Sequence, residues 1–302
     1  MPESTVARFG GLRGVFPALV TPFSEDAREI DEKALRTVVD HAVSGGVNGF
    51  VVCGGSGEFN SLTIEERRRA VEIVTEQSAG KVTVVAQTGA MTTTEAIEHS
   101  EHAAAAGAGA LMVGLPYYEP LNIDQVIEYF SAIAAVVDLP LMAYNYPYAT
   151  GFNFTPELTA ELVSAVPSVE YVKDSAGDLG QVHGIATSLD GKVGVFSGSD
   201  SHTAPALLMG AVGVVNGASQ VFPREFATMY AAAADGNHSA LIDEWSRLLP
   251  FFTFAEGNHY ASAIKHALRI VGVPVGSTVR RPAQDLSASS LAELEGILAK
   301  LA

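Results

Sequence analysis

The sequence is poor in cysteine, in basic residues and in long apolar runs, and each shortage excludes a class of protein. Its one cysteine, Cys53, cannot form an internal disulfide and offers no thiolate cluster for a metal ion. Only 18 lysines and arginines oppose 34 acidic residues, and the net charge of −16 argues against nucleic acid or an anionic membrane surface as a partner. No apolar stretch is long enough to span a bilayer, and residues 1–14 lack the apolar core of a signal peptide. We therefore expect a cytoplasmic protein without a membrane partner.

Apolar runs rich in β-formers alternate with amphipathic helical stretches from the start of the chain to about residue 220. Each run is nearly continuous in apolar residues, as strands buried on both faces are. The predicted strands are residues 14–20, 49–54, 82–88, 110–115, 140–145, 169–173, 193–198 and 213–217. Eight such β-then-helix units predict a (β/α)8 TIM barrel. A doubly wound open sheet is the competing interpretation, but the chain shows no glycine-rich dinucleotide fingerprint.

The pattern changes after Pro223, where the apolar spacing becomes helical throughout. We therefore predict two domains, a barrel over residues 1–222 and a C-terminal helical appendage over residues 223–302. Among the barrel helices, the one predicted over 63–77 begins with Thr63 and Glu66 in the spacing of a capping box.

Of the six lysines, five lie on predicted helices or before predicted strands: Lys33, Lys81, Lys192, Lys265 and Lys300. Only Lys173 closes a strand at its C-terminal end, where barrel active sites are built. Apolar walls at that end would disfavour the ammonium form and lower its pKa. A neutral amine can attack a ketone or aldehyde to form a Schiff base, which then accepts electrons from a neighbouring bond. The competing interpretation is a structural lysine paired with Asp174 or Asp178.

Three other strand ends carry side chains that could serve a site with that lysine. After the second strand, Gly55, Ser56 and Gly57 lie in a turn whose successive N–H groups can bind a carboxylate. Tyr144 ends the fifth strand, in line with the lysine of the next strand. Tyr118 follows the fourth strand, although tyrosines at barrel rims are more often packing residues. Each signal alone is weak.

Taken together, these stretches resemble the pyruvate-dependent class I aldolase family that includes dihydrodipicolinate synthase and N-acetylneuraminate lyase. The likeness runs from "GVFPALVTPF" through "GGSGEF", "PYY", "YNYPYATG" and "YVKDSAGD" to "FSGSD". It implies a barrel with a C-terminal helical appendage, commonly a homotetramer built as a dimer of dimers. It also implies Lys173 as the Schiff-base residue, Tyr144 as the proton shuttle and the Ser56 turn as the clamp for a keto-acid carboxylate.

Two positions depart from the synthase-type pattern that the resemblance implies. Gly55 stands where the synthase has a threonine whose hydroxyl links the two tyrosines that match Tyr144 and Tyr118. Ala149 stands where the synthase has an arginine that binds the carboxylate of the aldehyde substrate. Without that arginine, an acidic semialdehyde loses its counter-charge. Both departures count against the synthase activity.

The stretch "YNYPYATG" resembles instead aldolases of 2-keto-3-deoxy sugar acids, in which Tyr146 and Thr150 would contact substrate hydroxyls. Asp200 in "SGSD" offers a further acceptor for hydroxyls. We therefore predict a lyase, either an aldolase or a dehydratase, that acts on a 2-keto-3-deoxy sugar acid or a related pyruvate adduct. Its partner is a small-molecule 2-keto acid, and we expect neither a cofactor nor a metal.

Three alternatives stay open at this point. Dihydrodipicolinate synthase itself, which condenses pyruvate with aspartate semialdehyde, is the first. A keto-acid-binding barrel without turnover is the second. A metal-dependent barrel hydrolase is the third and is disfavoured, because the loop histidines His202 and His259 belong to no motif that places two ligands on one face.

Overall fold

The computed structural model describes residues 11–189 and 191–301. Its eight parallel strands are β1 (Gly14–Val15), β2 (Gly49–Val52), β3 (Thr83–Gln87), β4 (Ala110–Gly114), β5 (Leu141–Asn145), β6 (Val169–Asp174), β7 (Gly194–Ser197) and β8 (Gly213–Val214). They pair in the order β1-β8-β7-β6-β5-β4-β3-β2. A parallel bridge between Ala18 and Val51 joins the two ends of this order. The predicted (β/α)8 TIM barrel is confirmed. Residues 1–10, where most of the signal-peptide expectation falls, lie outside the described residues.

The first and last strands are shorter than the predicted runs 14–20 and 213–217. Pro17 interrupts the first run, because proline has no N–H to donate to a ladder. Hydrogen bonds still follow the barrel wall on both sides of it. The Phe16 N–H donates to the Val214 carbonyl at 2.9 Å, and the Ala18 N–H donates to the Asn216 carbonyl at 2.8 Å. The wall therefore continues past both strands with irregular pairing.

The strands pack apolar side chains on both of their faces, which explains their continuous apolar sequences. The barrel interior is filled by Phe16, Ala18, Val51, Val85, Ala110, Met112, Met142, Tyr171, Phe196, Val212 and Val215. A larger apolar layer lies between the strands and the surrounding helices. The interior is thus a packed core, so a substrate has access only at the barrel mouth.

The α-helices of the described residues are Glu32–Ser44, Ile64–Ser78, Thr93–Ala105, Ile123–Ala134, Pro147–Thr150, Pro156–Ala165, Leu179–Ser188, Thr203–Leu208, Pro223–Ala234, His238–Glu256, Tyr260–Ile270 and Ala288–Ala299. Short 3-10 helices cover Phe59–Ser61 and Ala218–Gln220. The predicted capping box is present, since the Thr63 hydroxyl accepts from the Glu66 N–H and the Glu66 carboxylate accepts from the Thr63 N–H. None of the described helices is long and apolar enough to cross a membrane.

The C-terminal region is helical, as predicted from residue 223 onward. Its first helix, Pro223–Ala234, packs against β1 and the helix Glu32–Ser44, in the place of the eighth barrel helix. The later helices, which begin at His238, Tyr260 and Ala288, pack against one another. The division between residues 222 and 223 stays a prediction.

Candidate active site

The site begins at the C-terminal ends of β5 and β6, which the sheet register brings level with each other. Tyr144 on β5 pairs with Lys173 on β6. The Lys173 amine lies 4.1 Å from the centroid of the Tyr144 ring. Gly198, just after β7, leaves the room that the lysine needs, since an added Cβ there would lie 2.9 Å from the Lys173 Cε. The structure thus brings the two predicted catalytic residues together.

Lys173 is only 5% exposed. Burial lowers its pKa from 10.5 to about 7, and the negative charge of Asp200 opposes that change. Within the described part of the chain, no carboxylate lies within 4.0 Å of its amine, the limit for an ion pair. A large fraction of this amine is therefore neutral and nucleophilic near pH 7.

The structure does not pair Lys173 with either of the two carboxylates of the competing structural interpretation, because both have other partners. Asp174 accepts hydrogen bonds from the side-chain amides of Asn145 at 2.8 Å and Gln181 at 2.5 Å. Asp178 caps the helix Leu179–Ser188 by accepting from backbone N–H groups. Neither carboxylate neutralises the lysine through an ion pair.

Lys265 is the second buried lysine, and its surroundings differ. Its side chain is fully buried, and its amine donates to Glu58 Oε1 at 2.5 Å and to the Thr278 carbonyl at 2.7 Å. Burial lowers its pKa, while the Glu58 carboxylate opposes that change. Because it is held in an ion pair, Lys265 is a poor candidate for a free nucleophile.

The Tyr144 phenol lies at the base of the mouth. Burial raises its pKa, and a hydrogen bond with the Ser175 hydroxyl opposes that rise. Its ring stacks on that of Tyr146, with centroids 5.9 Å apart and planes 2° from parallel. Ser175 was not predicted as a site residue, and nothing in the sequence marks it beyond its place two residues after Lys173.

The turn after β2 presents backbone N–H groups, as predicted, but not from all three residues. The Gly57 N–H donates to the Gly54 carbonyl at 3.0 Å and is used within the turn. The N–H groups of Gly55 and Ser56 donate to no group of the described residues. These two N–H groups are available to an anion.

A cavity of about 460 Å³ opens beside the stacked tyrosines. Of the predicted residues, Gly55, Tyr144, Tyr146 and Thr150 line it, and so does Ala149. The Thr150 hydroxyl is already engaged, since it donates to the Phe152 carbonyl at 3.1 Å. A contact of this hydroxyl with substrate stays a prediction, and it requires that bond to be shared or broken.

Five other predicted residues are not among its lining residues, namely Lys173, Ser56, Gly57, Tyr118 and Asp200. The Tyr118 side chain is 84% exposed and borders a neighbouring groove instead. Asp200 is buried, and it accepts from the Tyr260 hydroxyl at 2.6 Å and from the Ala218 N–H at 3.1 Å. Burial raises the pKa of Asp200 to about 7. Tyr260 comes from the C-terminal region and was missed, because nothing local in the sequence indicates a bond across 60 positions.

Arg67 and Gln87 were not predicted, and both line the cavity. Arg67 is buried and donates to the Gln87 carbonyl at 3.0 Å and to the Gln87 side-chain oxygen at 2.7 Å. No carboxylate of the described residues pairs with its guanidinium within 4.0 Å.

The described residues contain no group of three or more His, Cys, Asp or Glu side chains that could hold a metal ion.

The chemistry available here is that of an amine nucleophile next to a phenol, with an N–H pair for a carboxylate. This combination suits imine formation with a 2-keto acid. A phenol can donate and accept a proton, and the Tyr144 ring centroid lies 4.1 Å from the Lys173 amine.

Comparisons with known proteins agree with this geometry. The model of the dihydrodipicolinate synthetase family matches residues 11–301. The 4-hydroxy-tetrahydrodipicolinate synthase of Methanospirillum hungatei is 36% identical over 291 residues, which cover 95% of this chain and 98% of that protein. The 4-hydroxy-tetrahydrodipicolinate synthase of Thermomicrobium roseum is 38% identical, over 96% of this chain and 94% of that protein.

Solved structures give the same answer. Dihydrodipicolinate synthase from Aquifex aeolicus superposes with a TM-score of 0.91 at 30% identity, covering 96% of this chain and 98% of that one. YagE, an Escherichia coli K12 prophage protein of the same family solved in complex with pyruvate, superposes with a TM-score of 0.92 at 28% identity, covering 96% of this chain and 98% of that one. The chain therefore belongs to the dihydrodipicolinate synthetase family and is a Schiff-base lyase of that family.

Proposed function

We propose that Lys173 forms the Schiff base with a 2-keto acid and that Tyr144 moves the protons. The observation that carries this proposal is the buried Lys173 amine, which has no ion-pair partner in the described residues and lies 4.1 Å from the Tyr144 ring centroid. The other buried lysine, Lys265, is held by Glu58. The free N–H groups of Gly55 and Ser56 supply the site for the keto-acid carboxylate.

The steps follow from these groups. The neutral amine attacks C2 of the keto acid. The carbonyl oxygen receives one proton from the amine and one from Tyr144 and leaves as water, which gives a protonated imine and a Tyr144 phenolate. For cleavage, the C4 hydroxyl gives its proton to that phenolate and the C3–C4 bond breaks. Its electron pair moves toward the imine nitrogen and leaves an enamine and an aldehyde. Protonation at C3 and hydrolysis then release pyruvate, and the reverse sequence joins pyruvate to an aldehyde.

The first candidate substrate is a 2-keto-3-deoxy sugar acid or a related pyruvate adduct. Ala149 lines the cavity and carries no charge, so a second carboxylate receives no counter-charge from that position. Burying such a carboxylate unpaired would cost several kcal/mol. The Tyr146 hydroxyl offers a neutral donor for substrate hydroxyls.

The second candidate is the synthase reaction of pyruvate with aspartate semialdehyde. The relatives support it better than the sugar-acid hypothesis, because two proteins named 4-hydroxy-tetrahydrodipicolinate synthase are 36% and 38% identical over at least 95% of this chain. Arg67 supports it, because this residue lines the same cavity and its guanidinium has no carboxylate partner within 4.0 Å in the described residues. Assembly as a homotetramer stays a prediction under either candidate.

The deciding experiment compares kcat/KM for two reactions on one preparation. The first is cleavage of a panel of 2-keto-3-deoxy sugar acids, and the second is condensation of pyruvate with aspartate semialdehyde. We expect the cleavage to be faster, and Ala149→Arg to shift the ratio toward condensation by roughly tenfold or more, as expected for a charge-assisted bidentate contact. Lys173→Met serves as the inactive control.

Efficient condensation by the unmodified protein would establish the second candidate instead. If neither reaction is turned over while pyruvate still forms an adduct at Lys173, the chain is a keto-acid-binding barrel.

A further inference from the structure

A buried ion pair connects the substrate turn to the C-terminal helices. Glu58 is 5% exposed and Lys265 is fully buried. Glu58 Oε1 accepts from the Lys265 amine at 2.5 Å, and Glu58 Oε2 accepts from the backbone N–H of Arg280 at 3.0 Å. Both carboxylate oxygens are therefore bound by the C-terminal region, 207 or more positions away in sequence.

Glu58 is also the last residue of the turn that carries the free N–H groups. Its φ of +54° lies in the left-handed region, which side chains other than glycine rarely adopt. Its N–H donates to the Gly55 carbonyl at 3.0 Å, so the conformation of Glu58 fixes one end of the peptide that contains Ser56. A strained residue keeps such a conformation only where its surroundings hold it. Here, the hydrogen bonds from Lys265 and Arg280 to the Glu58 carboxylate hold the residue in this conformation.

Lys265 and Arg280, which bind the Glu58 carboxylate, also share a contact with one aromatic ring. The Lys265 amine lies 4.4 Å from the centroid of the Phe23 ring, and the Arg280 guanidinium carbon lies 4.3 Å from the same centroid. The Arg280 guanidinium forms two hydrogen bonds with Glu66, in the first turn of the helix that follows the substrate turn. The C-terminal segment thus grips both the turn and the helix after it.

We infer that the Glu58–Lys265 pair positions the Gly55 and Ser56 N–H groups for the keto-acid carboxylate. Glu58 and Lys265 are positioning residues, because the Glu58 carboxylate is bonded to Lys265 and Arg280 and the pair acts only through the turn. This inference rests on the proposed function, in which the turn binds that carboxylate. Stability alone does not explain this buried ion pair, because apolar residues of similar size in its place are often equally stabilising or more so.

The test uses the full chain and three variants. Lys265→Met removes the amine and keeps an apolar stem, but it leaves Glu58 with one bond fewer. The double variant Glu58→Gln with Lys265→Met leaves no unpaired buried charge and guards against a failure to fold. His266→Gln is the matched control, because His266 lies on the same helix and bonds Asp285 at 2.7 Å, whereas Lys265 bonds Glu58 of the turn.

Two measurements separate positioning from general stability. Hydrogen exchange reports the protection of the peptide that covers residues 53–59. Borohydride trapping of pyruvate gives the concentration for half-maximal adduct and the rate at saturation. We expect both pair variants to lose protection in residues 53–59 and to raise the half-maximal pyruvate concentration by roughly 10- to 100-fold, the range for a misplaced binding group. The saturated rate should change by less than about threefold, since Lys173 and Tyr144 are untouched.

Unchanged half-maximal pyruvate in the double variant would overturn the inference, as would unchanged exchange in residues 53–59. A comparable rise in His266→Gln would show a general effect of the helix and would also overturn it. If the unmodified protein formed no pyruvate adduct at all, the proposed function would fail, whereas the exchange data would still decide whether the pair holds the turn.

Discussion

Replacing Lys173 with methionine should make the protein more stable while abolishing its chemistry. The lysine is 5% exposed and has no ion-pair partner in the described residues, so the folded state gains little from its charge. Methionine is similar in length and fills the same apolar space. The substitution therefore removes an electrostatic cost and leaves most of the packing in place.

The size of this cost follows from the pKa. Burial lowers the pKa of Lys173 from 10.5 to about 7, and each unit corresponds to about 1.4 kcal/mol. Near pH 7, the unfolded chain holds this proton and the folded chain has lost about half of it, which gives a cost of about 4 kcal/mol. Between about pH 7 and 10.5, the unfolded state binds the additional proton, so stability rises with pH. The cost is full below about pH 7 and disappears above about pH 10.5.

Urea unfolding of both proteins from pH 6 to pH 9 would measure this directly. We expect Lys173→Met to be more stable by about 3 to 5 kcal/mol near pH 7, and the difference to shrink by about 2 to 3 kcal/mol on going to pH 9. Other shifted groups, such as Asp200 and Lys265, are present in both proteins and largely cancel in the difference. A variant that is less stable than the parent, or a difference independent of pH, would refute the idea that Lys173 is buried as a neutral amine.

Two further predictions concern the chemistry. Pyruvate with borohydride should add mass at Lys173 and not at Lys265, and the initial trapping rate should fall about tenfold per pH unit below about pH 7, because only the neutral amine attacks; labelling at Lys265 would contradict the assignment. Tyr144→Phe should fold normally and lower kcat by roughly 10²- to 10⁴-fold, the usual span for a lost general acid–base. A drop of less than tenfold in steady-state assays would show that Ser175, water or another group moves the proton.

Much of the fold could be predicted because strands buried on both faces appear in the sequence as continuous apolar runs. The eight runs lie within a few residues of the eight strands. Errors occurred at β1 and β8, where Pro17 removes an N–H and pairing becomes irregular. The position of Lys173 was also predictable, because a residue at the C-terminal end of a barrel strand lies at the end of the barrel where active sites are built.

The remaining site features depend on contacts between distant parts of the chain. The contact of Asp200 with substrate stays a prediction, but its hydrogen bond from Tyr260, 60 positions later, was not predicted. Thr150 was predicted from the resemblance to contact hydroxyls, whereas its own hydroxyl closes the loop at Phe152. Such pairings arise only when the C-terminal helices and loops pack on the barrel, and no local pattern in the sequence specifies them.

The two buried lysines differ in their surroundings, and this difference explains why one is held in an ion pair and the other has no ion-pair partner in the described residues. Both lose hydration on folding, and burial lowers the pKa of each. Lys265 recovers part of the lost interaction energy through the Glu58 carboxylate and the Thr278 carbonyl, which both favour its ammonium form. Lys173 meets an aromatic ring and a glycine instead, with Asp200 acting only from beyond ion-pair distance. A lysine in that setting is stabilised most by giving up its proton, and a neutral amine at a barrel mouth is the group that imine formation requires.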